Sequence, residues 1–355
     1  MFRYKETYTF PFSAKIPSYL NEYKLQYSKI KSYSKFIKRY LILLFLKQKK
    51  YELKHLPIST KKILWINLSA PSIGDSLMDL SSRVMLKSFN LDLFTSRKNS
   101  NVYENDKFFN NIYTDYSAAK ANNYDLIIID SFSSRSIRAK FNIAPKALFV
   151  SMFGFFNGPE VNRVLFSFNR MNKLLGEKYS EKEINSFAKP CIYADNKNIC
   201  LPNMEFISIV IGGEWEYRTY KNWKKVIKYI LNNYKSTEIA LIGSINGKSE
   251  ASKLVKYFPS RVKSFVGEYS FNQTAEIIRN SKILICCDGG LMHCGNCFKK
   301  ILVPLFAKLS PEMQLTESIT AFSCFDKTDV NNIKPQKIMA KVKLAIDYAD
   351  KYLQS

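Results

Sequence analysis

The sequence predicts an α/β protein made of two parallel-sheet domains in tandem, preceded by a basic helical extension. Three observations carry this. Short apolar runs rich in Ile and Leu alternate with amphipathic segments of helical period, as expected for strands covered on both faces by crossover helices. The alternation pauses over residues 176–204, where Pro190 and Pro202 sit among mixed polar residues, and then resumes. Finally, 355 residues with 46% hydrophobic content can fill two ordinary cores.

Residues 1–58 form the extension. Within it, "KIKSYSKFIKRYLILLFLKQKK" (29–50) reads as a helix with cations flanking an apolar centre. Such a helix either lies on an anionic membrane surface or packs on the protein body with its basic side solvated. The first domain spans 59–185. "KKILWINLS" (61–69) is a buried strand, followed by a loop and a helix, "DSLMDLSSRVMLKSF" (75–89). Further strands are "LDLFT" (91–95), "YDLIIID" (124–130) and "KALFVSMF" (146–153), with a helix over about 159–175.

Residues 186–204 are the linker proper, and the second domain spans 205–335. Its strands are 206–213, 238–243, 262–267, 282–288 and 300–306. Its helices cover 220–234, 247–258 and 270–281, with another starting near Leu291. Ser270, with Gln273 three residues on, has the pattern of a capping box. A last helix, 335–353, closes the chain within a terminal segment 336–355.

The net charge is +24, and residues 1–62 hold 15 Lys/Arg against 3 Asp/Glu, half of that excess. Such a balance attracts a polyanion: nucleic acid, an anionic membrane or a phosphorylated substrate. Charged residues at 24% argue against wholesale disorder. The longest apolar run, "YLILLFL" (40–46), is far short of the roughly 20 residues of a spanning helix. The start "MFRYKETYTF" lacks the apolar core of a secretory signal. Seven scattered cysteines, an odd number, fit free thiols in a reducing cytoplasm.

Three loops of the second domain follow strand ends, where open α/β sheets bind ligands. In "IGGEWEYRTYKNW" (211–223), Gly212 and Gly213 let the backbone approach a ligand and Arg218 can neutralise a phosphate. In "IGSINGKSE" (242–250), Glu250 can accept from a hydroxyl. In "CDGGLMH" (287–293), Asp288 ends a strand and Gly289 and Gly290 open a helix. The free N–H groups there favour an anion, and His293 falls in the first turn. Each loop alone is as consistent with a plain turn, and a lone His with a core residue. Together they point to a phosphate-containing ligand. In the first domain, "NLSAPSIGDSLM" places Asp75 at a helix start. There it either caps the helix or serves as a general base. "CGNC" (294–297) lies on a helix and has no second ligand pair spaced for zinc, so no metal site is expected.

"LSAPSIGDSLM" resembles the opening Ser-x-x-Gly-Asp segment of glycosyltransferase family 9, the ADP-heptose:lipopolysaccharide heptosyltransferases. "DGGLMH" resembles that family's Asp-x-Gly-x-x-His segment, and "LFAKLSPE" (305–312) the phosphate-side loop after it. The resemblance covers roughly residues 61–335. It implies a GT-B architecture: two Rossmann-like domains facing across a cleft, acceptor on the first and nucleotide-sugar on the second. It implies Asp75 as the base, with Asp288, Gly289, Gly290 and His293 around the diphosphate and sugar. Arg218 stands where the family usually has a Lys before a Trp, with a shorter spacing to Trp223. Glu250 and Tyr269 fall near the nucleoside positions. "AKLSPE" departs from the family's frequent Gly-Pro-Thr.

The function so implied is inverting, metal-independent transfer of heptose from ADP-heptose to the inner core of lipopolysaccharide or lipooligosaccharide, with no resident cofactor. The implied partners are the nucleotide-sugar, a phosphorylated lipid A–core acceptor and the anionic inner-membrane surface. The implied location is cytoplasmic and peripheral on that membrane. Cations in "RSIRAK" (135–140) either help attract the acceptor or form a solvated surface. The alternatives are another nucleotide-sugar donor on the same fold, or a basic nucleic-acid-binding protein. No nucleic-acid-binding motif is present, and nucleic acid is not expected as a partner.

Overall fold

The computed structural model describes residues 29–155 and 161–352. The start of the extension, including the segment read as lacking a secretory signal, lies outside the described residues. So does the beginning of the helix expected over 159–175. The chain divides into two compact units between Ala188 and Lys189.

In the first unit the strands are β1 (Lys62–Asn67), β2 (Asn90–Thr95), β3 (Ile112–Tyr113), β4 (Leu126–Ile129) and β5 (Leu148–Ser151). They form a wholly parallel sheet in the order β3-β2-β1-β4-β5. In the second unit β6 (Phe206–Val210), β7 (Glu238–Ile242), β8 (Val262–Ser264), β9 (Ile283–Cys287), β10 (Ile301–Ala307) and β11 (Cys324–Asp326) form a parallel sheet. Its order is β11-β10-β9-β6-β7-β8. Each unit is therefore a Rossmann-like α/β domain with a reversal of strand order, between β1 and β4 in one and between β6 and β9 in the other. The central strands are buried almost without exception, which is why their sequences are continuously apolar.

The helices of the first unit are α1 (Lys29–Phe45), α2 (Ile73–Asp79), the short α3 (Arg97–Ser100) and α4 (Tyr116–Lys120), α5 (Ser134–Ile143), α6 (Arg163–Leu174) and α7 (Glu181–Phe187). The helix expected over 75–89 stops at Asp79 and continues as a 3₁₀ turn, Ser81–Leu86. Tertiary contacts capture the carbonyls at the break. The Ser167 hydroxyl donates to Asp79 O (2.7 Å), and Arg83 donates to Leu80 O (3.0 Å) while pairing with buried Asp106. The connection expected over 176–204 contains α7, with a capping box formed by Ser180 and Glu183.

Helix α1 packs on the body. Leu43 is fully buried in the first core, Ile42 and Leu46 pack beside it, and the Phe36 and Phe155 rings lie 4.8 Å apart. Its outer side leaves Leu41, Leu44 and Phe45 exposed, Phe45 by 80%. Lys140 fastens the end of the extension. Its ammonium donates to Gln48 Oε1 (2.6 Å) and Pro145 O (3.1 Å) and lies 4.9 Å from the Tyr51 ring. Burial pulls its pKa down to about 8. Of the cations in 135–140, only Arg135 and Arg138 face solvent; Lys140 does not belong to a charged surface.

The second unit adds α8 (Trp223–Asn233), α9 (Lys248–Tyr257), α10 (Phe271–Asn280), α11 (Gly290–Cys297) and α12 (Pro335–Tyr352). The capping box expected at α10 is present: the Ser270 hydroxyl accepts from Gln273 N, and Gln273 Oε1 accepts from Ser270 N. Helix α12 buries Ile338, Val342, Ala345 and Ile346 in the second core.

Candidate functional site

In the second unit four loops leave the carboxyl edge of the sheet around its order reversal. They follow β6, β7, β9 and β10. The first holds Gly212, Gly213 and Arg218; the third holds Asp288, Gly289 and Gly290. Arg218 Nη1 donates to Asp288 Oδ2 at 3.0 Å and so ties these two together. The Asp288 side chain is 2% exposed and that of Arg218 24%. Burial works against the Arg218 charge, but the Asp288 carboxylate and Tyr217 outweigh it, and the guanidinium is held above its ordinary pKa.

The loops after β6 and β7 also clasp each other. Asn246 Nδ2 donates to Gly213 O (2.7 Å). A Cβ on Gly247 would stand 2.5 Å from Ile211 O, so only glycine permits this approach. Gly212, at φ +87°, turns the chain there. The packing of loop on loop thus calls for Gly212 and Gly247, and the fold of the first loop on its own Thr219 for Gly213, before any ligand is considered. Gly289 is different. Its backbone is extended, and a Cβ there would meet nothing within 4 Å. It is the N-cap of α11, an eight-residue helix whose first N–H groups have no intrahelical acceptor.

The remaining expected residues are spread around this edge. His293 closes the first turn of α11 but is only 2% exposed. Glu250 lies in the first turn of α9, partly exposed and 3.7 Å from Lys253 Nζ. Tyr269 precedes α10, and its hydroxyl accepts from Cys200 N at 3.3 Å. Cys294 and Cys297 are buried on α11, and burial raises the Cys294 thiol pKa. The Cys297 thiol donates to His293 O at 3.2 Å. Among the described residues no three His, Cys, Asp or Glu side chains converge as a metal-ligand set.

In the first unit Asp75 is the third residue of α2 and not its cap. Ser72 is the cap: its hydroxyl accepts from Asp75 N (3.2 Å) and donates to Asp75 Oδ2 (2.6 Å). Arg163, from α6, stands 3.3 Å from Asp75 Oδ1 and grips Asp79 with two hydrogen bonds, at 2.8 and 2.7 Å. Burial pushes the Asp79 carboxyl up to about 6, and Arg163 pulls the other way. The Asp75 side chain keeps 23% of its surface, so a hydroxyl can reach it.

Sequence reasoning missed three of these groups. Arg163 and Asp79 carry no local signal. Asp130 does, since it ends an apolar strand as Asp288 does. It is buried and accepts from the backbone N–H groups of Leu68, Ser69 and Ser131 and from the Ser136 hydroxyl. It fixes the loop after β1 to the end of β4, at the order reversal of the first sheet.

Residues 179–343 match the family model described as glycosyltransferase family 9 (heptosyltransferase). Among curated proteins, none matches the chain by sequence. Among solved structures, a glycosyl transferase family 9 protein from Veillonella parvula is 10% identical with a TM-score of 0.66, over 83% of this chain and 100% of that one. The E. coli ADP-heptose lps heptosyltransferase II is 14% identical with a TM-score of 0.64, over 81% and 99%. E. coli heptosyltransferase WaaC with ADP is 14% identical with a TM-score of 0.59, over 80% and 99%. At these identities the structures speak for the fold, which is that of GT-B heptosyltransferases, and the family match speaks for the second half of the chain. The second half of the chain, residues 179–343, is thus a glycosyltransferase family 9 (heptosyltransferase) domain, within a chain that has the fold of a GT-B glycosyltransferase.

Proposed function

We propose that the chain moves heptose from ADP-heptose to a phosphorylated lipid A–core acceptor, with inversion and without a metal. The observation that carries this is the edge at Gly289: a helix N-terminus with open space where a side chain would be, beside a guanidinium on an adjoining loop. That is a place for a diphosphate. The solved structures of similar fold include heptosyltransferase WaaC with ADP and with an ADP-2-deoxy-2-fluoro heptose, which supports the choice of donor.

The acceptor oxygen attacks the anomeric carbon as the bond from that carbon to the β-phosphate oxygen breaks, and the hydroxyl proton passes to Asp75. Negative charge grows on the leaving diphosphate. Arg218 and the first N–H groups of α11 meet it, already on the bound diphosphate before the bond breaks. Ser72 holds one Asp75 oxygen, and Arg163 stands nearer the other. Arg163 is committed mainly to Asp79, which leaves Asp75 a carboxylate able to take the proton.

A panel of nucleotide-sugars tests this. ADP-heptose should raise the melting temperature more than UDP- or GDP-sugars and should be the donor consumed in transfer to a heptose-lacking lipid A–core. Stabilisation and transfer with a different nucleotide-sugar would overturn the donor assignment.

The acceptor sits in a membrane, and the outer side of α1 suits its surface. Leu41, Leu44 and Phe45, at helical spacing, are exposed beside Lys38 and Lys47. No described helix is long and apolar enough to cross a membrane, so the proposed contact is interfacial. Replacing Leu44 and Phe45 with Glu should reduce co-flotation with anionic vesicles at least severalfold and leave donor binding intact. Unchanged flotation would remove α1 from the contact.

A further inference from the structure

We propose that Lys308 is a second phosphate-binding cation of the donor site, carried over the face of Tyr217 to the diphosphate that Arg218 alone cannot neutralise. The assignment rests on the nucleotide reading of the second unit and deepens it.

Lys308 is the first residue after β10, the strand beside β9. The end of β9 is bonded to β10, since Asp288 N donates to Leu305 O at 3.0 Å. The Lys308 ammonium lies 3.7 Å from the centre of the Tyr217 ring, and the Arg218 guanidinium carbon lies 5.4 Å from the same ring. Two cations from different loops thus meet at one aromatic ring. Among the described residues one carboxylate stands within ion-pair distance of either: Asp288, 3.0 Å from Arg218. Among the described residues Lys308 has no carboxylate within ion-pair distance. The cluster therefore holds more positive than negative charge, next to the positive end of α11. A nucleoside diphosphate supplies the missing negative charge. Arg218 shares its charge with Asp288, so Lys308 is the cation with its full charge to give.

The backbone supports a role for the side chain. Lys308 has φ +66°, in the left-handed region where glycine is favoured and other residues are strained. Glycine would suit this backbone better than lysine. Lys308 is half-buried, and its ammonium contact with the Tyr217 ring is the contact that glycine would remove.

This gives a variant in which binding and folding separate. In the full-length protein, Lys308→Gly removes the cation and relieves the backbone. Its melting temperature should equal or exceed that of the wild type, while ADP binding, measured calorimetrically, weakens about tenfold. Adenosine, which lacks the diphosphate, should bind both proteins alike, and Lys308→Arg should recover most of the ADP affinity. ADP bound equally by wild type and Lys308→Gly would overturn the assignment while leaving the nucleotide site standing. Equal weakening of ADP and adenosine would also overturn it, by making Lys308 a general support of the loop. A wild type that binds neither ADP nor inorganic pyrophosphate would overturn the reading of the whole site, and Lys308 with it.

Discussion

Asp75→Asn is expected to slow sugar transfer by about 10²–10⁴-fold, the range over which a positioned general base acts, while donor-induced stabilisation stays as in the wild type. The substitution changes little else. An Asn oxygen can still accept from the Ser72 hydroxyl, and Arg163 keeps its two hydrogen bonds to Asp79. The ion pair lost is the longer one, at 3.3 Å, between partly exposed side chains. Its loss should cost well under about 1 kcal/mol of stability. Transfer is measured as product formed at saturating donor and acceptor, and donor binding as the shift in melting temperature. If stabilisation by the donor disappears together with transfer, Asp75 supports the fold of its loop, and the proton goes elsewhere.

Arg218→Ala should have the second largest effect, on two quantities at once. It takes a cation from the leaving diphosphate, which we expect to lower kcat by about 10²–10³-fold, as losing one preorganised charge-stabilising donor does. It also strands Asp288, whose side chain is 2% exposed, at a cost of about 2–3 kcal/mol in stability. A double substitution separates the effects. Asp288→Asn added to Arg218→Ala removes the stranded charge, so stability should largely return while transfer stays low. Recovery of both in the double variant would mean that Arg218 serves only to neutralise Asp288.

The fold was legible in the sequence wherever strands are buried on both faces. β4, β9 and β10 are apolar from end to end and β1, β6 and β7 nearly so, and their positions follow within a few residues. β3 and β11 were not legible, because two or three residues at a sheet edge show no period. The break after α2 was invisible for another reason. Nothing local interrupts the helical pattern, and the groups that end the helix, Ser167 and Asp106, lie far along the chain. The same division holds at the site. Loops punctuated by glycine after apolar strands announced themselves, and the capping pair Ser270/Gln273 could be read directly. Arg163, which faces Asp75, and Lys308, which faces Tyr217, reach their partners only through tertiary folding. Asp130 was overlooked although it ends its strand as Asp288 does, because no glycine follows it to mark a loop.

The two strand-ending aspartates give the two halves of the enzyme different mechanical characters. Asp130 holds main-chain amides, which have no side-chain freedom with which to leave it, so the edge that carries the first sheet's loops is a stiff platform. Asp288 holds its neighbouring loop through one guanidinium on a jointed side chain. An incoming anion can draw that guanidinium toward itself and return it on departure. In the proposed reaction a reversible latch cycles in the second half while the first keeps its shape, and the departure of the nucleotide depends on how firmly Asp288 reclaims Arg218.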